Sequence, residues 1–266
     1  MTATALSTPE IELVDISRHF GGVIALDAVS FAVQSGSVTG LIGPNGAGKT
    51  TLLNLLTGFF TPTSGHIRLR GVDVTGRRPH QMAKLGLGRT YQNLLLLDEE
   101  TVTENVRIGR HLIEARSGLN LRRAKAAKAA SVDVVDRLVE ELGLTDVAGT
   151  VVKGLPYGLR RRVEIARALA TEASVIVLDE PTAGMTRDES DDIAAVIDHL
   201  RQRGSTVLLV EHNVRLVTQM CDEVLVLDWG RLIGRDTADK VWDLDAVRTA
   251  YLGMSAEVVT NDVAGH

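Results

Sequence analysis

The sequence of 266 residues contains few cysteines and few aromatic residues, and each scarcity excludes a class of protein. The single cysteine, Cys221, excludes a disulfide framework and a cysteine-rich zinc module. Four Phe, three Tyr and two Trp are too few for a lectin-like or base-stacking platform. The 29 Lys and Arg residues nearly balance 34 Asp and Glu residues, so no nucleic-acid partner is expected.

The sequence also lacks long hydrophobic runs. Apolar stretches such as 94–97 and 175–178 are far shorter than the about 20 residues that a membrane-spanning helix requires. Residues 1–10 show neither the charged segment nor the apolar segment of a secretory leader. We therefore expect a soluble intracellular protein of mixed secondary structure.

Short apolar runs alternate with segments of helical periodicity along most of the chain. The runs at 38–42, 175–178 and 206–210 predict buried strands, and residues 188–203 have apolar side chains at helical spacing. The alternating pattern at 66–74 predicts an antiparallel strand and turn. Buried strands that alternate with helices indicate an α/β fold, in which a parallel sheet is covered by helices.

The middle of the chain interrupts this alternation with a helical region. One apolar stripe consists of Val132, Val135, Leu138 and Leu142. A stripe with this spacing is typical of an amphipathic helix that packs on a core. We therefore predict a helical subdomain at about 93–165.

A phosphate-binding loop follows the first buried strand. Its residues are Gly43, Pro44, Asn45, Gly46, Ala47, Gly48, Lys49, Thr50 and Thr51. They match the pattern G-x-x-x-x-G-K-[ST] between a predicted strand and helix, where glycines let backbone N–H groups point at phosphate oxygens. Lys49 is placed to reach the β- and γ-phosphates, and the Thr50 hydroxyl to coordinate Mg²⁺. The loop predicts binding of ATP or GTP.

Titratable residues follow two further predicted strands. Asp179 and Glu180 end the run at 175–178, and Glu211 and His212 end the next run. Ligands of α/β sheets bind at the carboxyl ends of the strands, so these residues are expected at the phosphate site. There Asp179 would hold Mg²⁺ through water, and Glu180 would polarise the attacking water.

A further motif lies between the phosphate loop and Asp179. It consists of Leu155, Pro156, Tyr157, Gly158 and Leu159. With the basic helix at 160–169, it resembles the signature motif of ATP-binding-cassette (ABC) ATPases, whose motifs occur here in the family's order. By this resemblance Gln92 matches the Q-loop glutamine, Phe20 the aromatic residue that stacks on adenine, and His212 the switch histidine.

The resemblance implies a fold and a single domain. The expected fold is a P-loop NTPase cassette with a RecA-like core sheet, an N-terminal antiparallel β portion and a helical subdomain. The domain spans 1–266, with a core lobe at about 11–92 and 166–253 and the helical subdomain at 93–165.

The resemblance also implies a mechanism. Two cassettes bind two ATP molecules head to tail, and each signature faces the other subunit's γ-phosphate. The implied catalytic residues are Glu180, His212, Lys49 and Gln92. The implied ligands of Mg²⁺ are Thr50, Gln92 and Asp179.

Shorter segments point to one subgroup of the family. The segments Phe20-Gly-Gly22, Thr101-Val-Thr-Glu-Asn105 and Ala250-Tyr-Leu-Gly253, together with residues 88–93, are similar to ATPase subunits of importers for branched-chain amino acids and related amino acids or amides. The resemblance implies that such a subunit works with a second, non-identical ATPase subunit and two transmembrane permease subunits, and indirectly with a periplasmic or extracellular substrate-binding protein. It would lie on the cytoplasmic face of the plasma membrane, held there by the permease.

Three alternatives stay open at this point. The segments 161–169 and 211–215 also resemble the lipopolysaccharide-export ATPase. A soluble ABC ATPase without a membrane partner is a second alternative, although such relatives usually carry tandem cassettes or extra domains. A regulatory cassette that binds ATP without hydrolysis is argued against by Glu180 and His212.

Four residues depart from the family's usual motifs. The usual signature is Leu-Ser-Gly-Gly-Gln, and here Pro156, Tyr157 and Leu159 replace its Ser, first Gly and Gln. Thr186 replaces the usual Asp or Asn of the segment that crosses the dimer interface. These departures predict that this chain's own phosphate site is competent and that the site served by its signature is weakened.

One apolar segment after Gln92 allows two interpretations. Residues 94–97 are all leucine, and either pack in the core or form the surface that receives the permease, as the resemblance implies.

Overall fold

The computed structural model describes residues 8–115 and 121–252. Its strands are β1 (Ile11–Phe20), β2 (Val23–Val33), β3 (Val38–Ile42), β4 (Ser64–Leu69), β5 (Val72–Asp73), β6 (Leu87–Arg89), β7 (Val175–Asp179), β8 (Thr206–Val210), β9 (Glu223–Asp228) and β10 (Arg231–Asp236). Its α-helices are α1 (Lys49–Leu56), α2 (Pro79–Lys84), α3 (Val102–Ile108), α4 (His111–Ala115), α5 (Leu121–Glu141), α6 (Tyr157–Leu169), α7 (Arg187–Gln202), α8 (Val214–Met220) and α9 (Asp245–Leu252). The described chain forms two compact units, residues 8–82 with 200–252, and residues within 83–199.

The first unit contains strands of both pairing types. β2, β1, β4 and β5 lie side by side in that order and pair antiparallel. β3 lies between β8 and β9 and is parallel to both, while β10 returns antiparallel along β9. Every residue of β3 and of β8 is buried. Strands covered on both faces need apolar side chains throughout, which explains why these two runs show no alternation.

The second unit combines the parallel pair β6 and β7 with a group of helices. α3 packs against α5 and α6. It begins at an N-cap, because the Thr101 side chain accepts a hydrogen bond from the Glu104 N–H at 3.2 Å. Such a cap satisfies one of the N–H groups that the first helical turn leaves without a partner.

The apolar stripe predicted for α5 is correct at three of its four positions. Val135, Leu138 and Leu142 are buried, but Val132 is 39% exposed. At this turn the buried residue is the neighbouring Ser131, whose hydroxyl accepts a hydrogen bond from buried Arg110 Nε at 3.2 Å. The buried stripe is therefore Ser131, Val135, Leu138 and Leu142, which has regular helical spacing and leaves Val132 beside it.

The α/β architecture with an antiparallel N-terminal part agrees with the sequence prediction. The helical subdomain predicted at 93–165 falls within the second unit, and its bounds and the single-domain organisation stay predictions. Gly253, the last residue of the predicted core lobe, lies outside the described residues. Among the described residues, no helix is long and apolar enough to span a bilayer. Burial raises the pKa of the Cys221 thiol to about 12, so this thiol stays protonated.

We expect that shortening a buried side chain of β8 destabilises the protein. Leu208 is 0% exposed, so Leu208→Ala should lower the free energy of unfolding by about 2–5 kcal/mol. Val72 on β5 is 55% exposed, and the matched change Val72→Ala should cost less than about 1 kcal/mol. Urea denaturation measures both, and equal losses would contradict the assigned burial of β8.

Candidate functional site

Close packing requires glycine at two positions of the phosphate loop, residue 43 at its start and residue 48 just before α1. Gly43 follows β3 with φ +155°, and a Cβ atom there would lie 2.1 Å from the carbonyl oxygen of Leu227. Gly48, at φ +103°, precedes α1, and its Cβ would lie 2.7 Å from the carbonyl oxygen of Ala25. Both positions therefore exclude every side chain, in addition to requiring backbone angles that favour glycine.

The loop surrounds a buried lysine. Lys49 is 7% exposed, and its Nζ donates hydrogen bonds to the carbonyl oxygens of Gly43 at 2.6 Å and Pro44 at 3.1 Å. The N-cap of α1 is Gly48, which has no side chain to accept hydrogen bonds from the first helical turn. A buried ammonium next to an uncapped helix N-terminus favours an anion.

The remaining loop residues differ in their exposure to solvent. Asn45, Gly46 and Thr50 are exposed, Ala47 is buried, and Thr51 is half-buried. The Ala47 carbonyl accepts a hydrogen bond of 2.9 Å from the Gly230 N–H. This contact ties the loop to the turn between β9 and β10.

The C-terminal helix α9 also reaches the phosphate loop. Tyr251 hydrogen-bonds to the backbone of Gly43 and packs edge-on against Trp242, with ring centroids 5.7 Å apart. Burial raises the pKa of the Tyr251 hydroxyl. In the sequence this tyrosine stands out only as part of a subgroup segment, whereas in the structure it contacts Trp242 and the backbone of Gly43.

An exposed aromatic ring ends β1 in the same unit. Phe20 packs edge-on against Phe60, with ring centroids 5.4 Å apart. The Arg18 guanidinium lies 4.5 Å from the centre of the Phe20 ring. These contacts fix the ring while leaving 39% of Phe20 exposed, which makes it available for stacking.

The residue predicted as the switch histidine follows β8. His212 is exposed, while the preceding Glu211 is buried. The Glu211 carboxylate accepts a hydrogen bond of 3.1 Å from the backbone N–H of His212. The first unit therefore holds the phosphate loop, Phe20 and His212.

Asp179 and Glu180, at the end of β7, lie in the second unit, where both carboxylates accept hydrogen bonds. Asp179 Oδ2 accepts a hydrogen bond of 2.8 Å from Arg89 Nη2, and both side chains are buried. Glu180 Oε2 accepts a hydrogen bond of 3.0 Å from Gln92 Nε2. The backbone of Glu180 is left-handed, with φ +47°. This conformation is strained for a residue with a side chain, and strain of this kind concentrates at functional sites.

The signature segment occupies the start of α6. Pro156 is the N-cap and provides no side-chain hydrogen bond, while Tyr157 and Gly158 form the first turn. Pro156 and Tyr157 are exposed, and Leu155, Gly158 and Leu159 are half-buried. The uncapped first turn can therefore present its N–H groups to an anion.

Thr186, which replaces the usual acidic or amide residue, caps α7. Its hydroxyl donates to Glu189 Oε2 at 3.0 Å, and its oxygen accepts from the Glu189 N–H at 3.4 Å. Hydrogen bonds from the backbone and side chain of Thr186 lower the pKa of Glu189. The substitution therefore has a local structural role as a capping box.

A buried ion pair on α6 contacts the segment that carries Gln92. Arg161 Nη1 and Glu164 Oε2 lie 2.6 Å apart, and both side chains are buried. Glu164 Oε1 accepts the Tyr91 N–H at 3.1 Å. Burial raises the pKa of Glu164, and the charge of Arg161 opposes that rise. Sequence reasoning missed this pair, although opposite charges at i, i+3 on an apolar helix face were visible in the sequence.

The segment at 94–97 is not a simple core segment. Leu95 and Leu97 are more than half exposed. The Leu95 carbonyl is held by Arg167 Nη1 at 2.6 Å. The core interpretation is wrong for these two leucines, which lie on the surface.

Comparisons with known proteins give a consistent result. The family described as ABC transporter matches residues 26–183. The high-affinity branched-chain amino acid transport ATP-binding protein BraF of Pseudomonas aeruginosa is 38% identical over 253 residues, covering 93% of this chain and 99% of that protein. LivG of Escherichia coli, with the same description, is 35% identical over 254 residues, with the same coverage. A crystal structure of the ADP conformation of an ATP-binding cassette from an ABC transporter matches with a TM-score of 0.81 and 32% identity, covering 92% of this chain and 99% of that one.

Two glycine substitutions separate backbone strain from steric exclusion in the loop. Gly46 has φ +81° and open space around it, so Gly46→Ala should cost only the left-handed backbone, about 1–2 kcal/mol. Gly43→Ala should lose about 1–3 kcal/mol more, because its Cβ meets the Leu227 carbonyl. Thermal unfolding of both variants tests this order, and a Gly43→Ala variant as stable as Gly46→Ala would contradict the loop geometry.

Proposed function

Because this chain belongs to the ABC transporter family of ATP-binding cassettes, we propose that it is the ATP-hydrolysing subunit of an importer for branched-chain amino acids or related amino acids and amides. The family, the α/β cassette fold and the ATPase class predicted from the sequence are confirmed by its relatives. The observation that carries the proposal is the buried Lys49 inside a loop that excludes side chains at both ends. The cargo class rests on the names of the two relatives.

The proposed nucleotide is ATP, with its phosphates on the loop of residues 43–51. Loop N–H groups and Lys49 would stabilise the charge on the β- and γ-phosphates, since fixed donors in a water-poor site need no reorganisation. Lys49 would exchange the carbonyls of Gly43 and Pro44 for phosphate oxygens. Phe20 would stack on the base.

The loop also fits Mg²⁺, which prefers hard oxygen ligands. The Thr50 hydroxyl is exposed at the start of α1 and is the ligand that we propose from the loop. Gln92 and Asp179 stay the other proposed ligands. Bound Mg²⁺ would neutralise charge that develops on the phosphate oxygens.

Hydrolysis would depend on Glu180, which we propose orients and polarises the attacking water. Its hydrogen bond from Gln92 supports this role because it orients the carboxylate, and its left-handed backbone is a strain of the kind that concentrates at functional sites. His212 is proposed to sense the γ-phosphate, and its exposure keeps the imidazole accessible.

The subunit is proposed to work in a larger assembly. Two cassettes would close head to tail around ATP, with the uncapped start of α6 facing the other subunit's nucleotide. Two transmembrane permease subunits would hold them at the cytoplasmic face of the membrane, and a substrate-binding protein would deliver the cargo. The exposed Leu95 and Leu97 are a surface that could receive the permease.

Glu180→Gln should separate binding from hydrolysis. The amide keeps the size of the side chain but cannot act as a base, so kcat should fall by about 10²–10⁴ while the Kd for ATP stays unchanged. Lys49→Ala should weaken ATP binding itself. Glu99→Gln is the matched control, because its carboxylate is exposed on the surface. Turnover of Glu180→Gln at the unmodified rate would rule out the proposed role.

Leu159→Gln tests the departure in the signature. Glutamine restores the family's residue at the start of α6, so the purified chain should hydrolyse ATP faster if its own signature limits a homodimer. Steady-state ATPase rates measured at equal protein concentration decide this. An unchanged rate would show that Leu159 does not weaken the signature.

A further inference from the structure

The guanidinium of Arg161 binds two parts of the second unit at once. Arg161 is 0% exposed. Its Nη1 donates to the Tyr91 carbonyl at 2.6 Å, and its Nη2 donates to the Gln92 carbonyl at 3.1 Å and to the Tyr157 hydroxyl at 2.8 Å. The ion pair with Glu164 neutralises its charge.

These contacts continue to the catalytic carboxylate. The backbone of Gln92 is held by Arg161, and the side chain of Gln92 donates to Glu180 Oε2 at 3.0 Å. Tyr157, at the other end, belongs to the signature segment. Hydrogen bonds therefore connect Tyr157 to Arg161, Arg161 to the backbone of Gln92, and the side chain of Gln92 to Glu180.

We propose that Arg161 is a positioning residue that links the signature segment to Glu180 through Gln92. The inference rests on the proposed function, in which Glu180 acts on this chain's nucleotide and the signature faces the other subunit's nucleotide. The state of one nucleotide site would then bias the geometry of the other. This route does not use Thr186, which caps α7 here.

The chemistry of arginine explains why this position can act as a rigid connector. A planar guanidinium offers five N–H donors in a fixed fork, so it can hold several acceptors at fixed angles. A lysine ammonium has three donors on a flexible stem and cannot reproduce that fork. Because Arg161 is fully buried, breaking a hydrogen bond of its Nη1 or Nη2 would leave a further donor unsatisfied and would be costly.

The link also gives a role to one departure in the signature. Tyr157 stands where the family usually has glycine, and glycine has no hydroxyl to accept the Arg161 bond. The Tyr157 ring also lies under the Arg161 guanidinium, with 5.6 Å between the charge and the ring centre. Tyr157 therefore extends the contacts of Arg161 into the first turn of α6.

Amide hydrogen exchange tests the link without relying on activity. Arg161→Lys and the milder Tyr157→Phe should both speed exchange at residues 90–93, while exchange in the phosphate loop stays unchanged. Arg162→Lys is the matched control, because that arginine pairs with Asp192 and not with Gln92. Unchanged exchange at 90–93 in both variants would overturn the link.

A double-mutant cycle with Gln92→Ala tests its catalytic consequence. Arg161→Lys should lower kcat on the order of tenfold with KM for ATP unchanged, and the loss should vanish in the Gln92→Ala background. A purely structural role would instead give additive losses and a raised KM, which would overturn the positioning role. If Arg161→Lys fails to fold, Tyr157→Phe enters the same cycle, with a smaller loss of about twofold to threefold.

Failure of the proposed function gives a different result from failure of the link. Absence of ATP hydrolysis by the unmodified chain would overturn the proposed function, and hydrogen exchange alone would then decide the link. Hydrolysis by the unmodified chain with an additive cycle would overturn the positioning role and leave the proposed function in place.

Discussion

A steric constraint at the end of β3 shapes the phosphate loop, the proposed nucleotide site. The carbonyl of Leu227 lies where a side chain on Gly43 would have to be, so the chain must turn there with bare backbone. The turn leads directly into α1, which brings Lys49 into a buried position against the loop carbonyls. A buried positive charge, an uncapped helix end and glycines at residues 43, 46 and 48 thus lie in one short segment, and together they favour a polyphosphate.

The second unit is organised by a buried charge instead. Arg161 cannot be buried without partners, since an unpaired guanidinium in an apolar region is strongly destabilising. Its Nη1 and Nη2 bond to Glu164, to the carbonyls of Tyr91 and Gln92 and to the Tyr157 hydroxyl, while its Nε is buried without a hydrogen-bond partner. These bonds hold the backbone of the segment carrying Gln92, whose side chain donates a hydrogen bond to Glu180.

Local patterns allowed much of this to be predicted from the sequence. The loop of residues 43–51 and the buried run at 38–42 were predictable because glycine spacing and strand burial are encoded within a few residues. The partners of Arg161 were not, because Tyr91 lies 70 residues away and only tertiary packing brings the two together. The prediction for Val132 is wrong because hydrophobicity favours a valine over a serine, whereas the buried residue is Ser131, whose hydroxyl accepts a hydrogen bond from the distant Arg110.

The central claim is that the loop around Lys49 is a nucleotide site. Isothermal titration calorimetry of the purified chain with ATP in the presence of Mg²⁺ tests it most directly, because it reports affinity and stoichiometry without requiring turnover. We expect saturable binding of one ATP per chain, competed by ADP. Absence of heat up to millimolar ATP, with the protein shown to be folded, would contradict it.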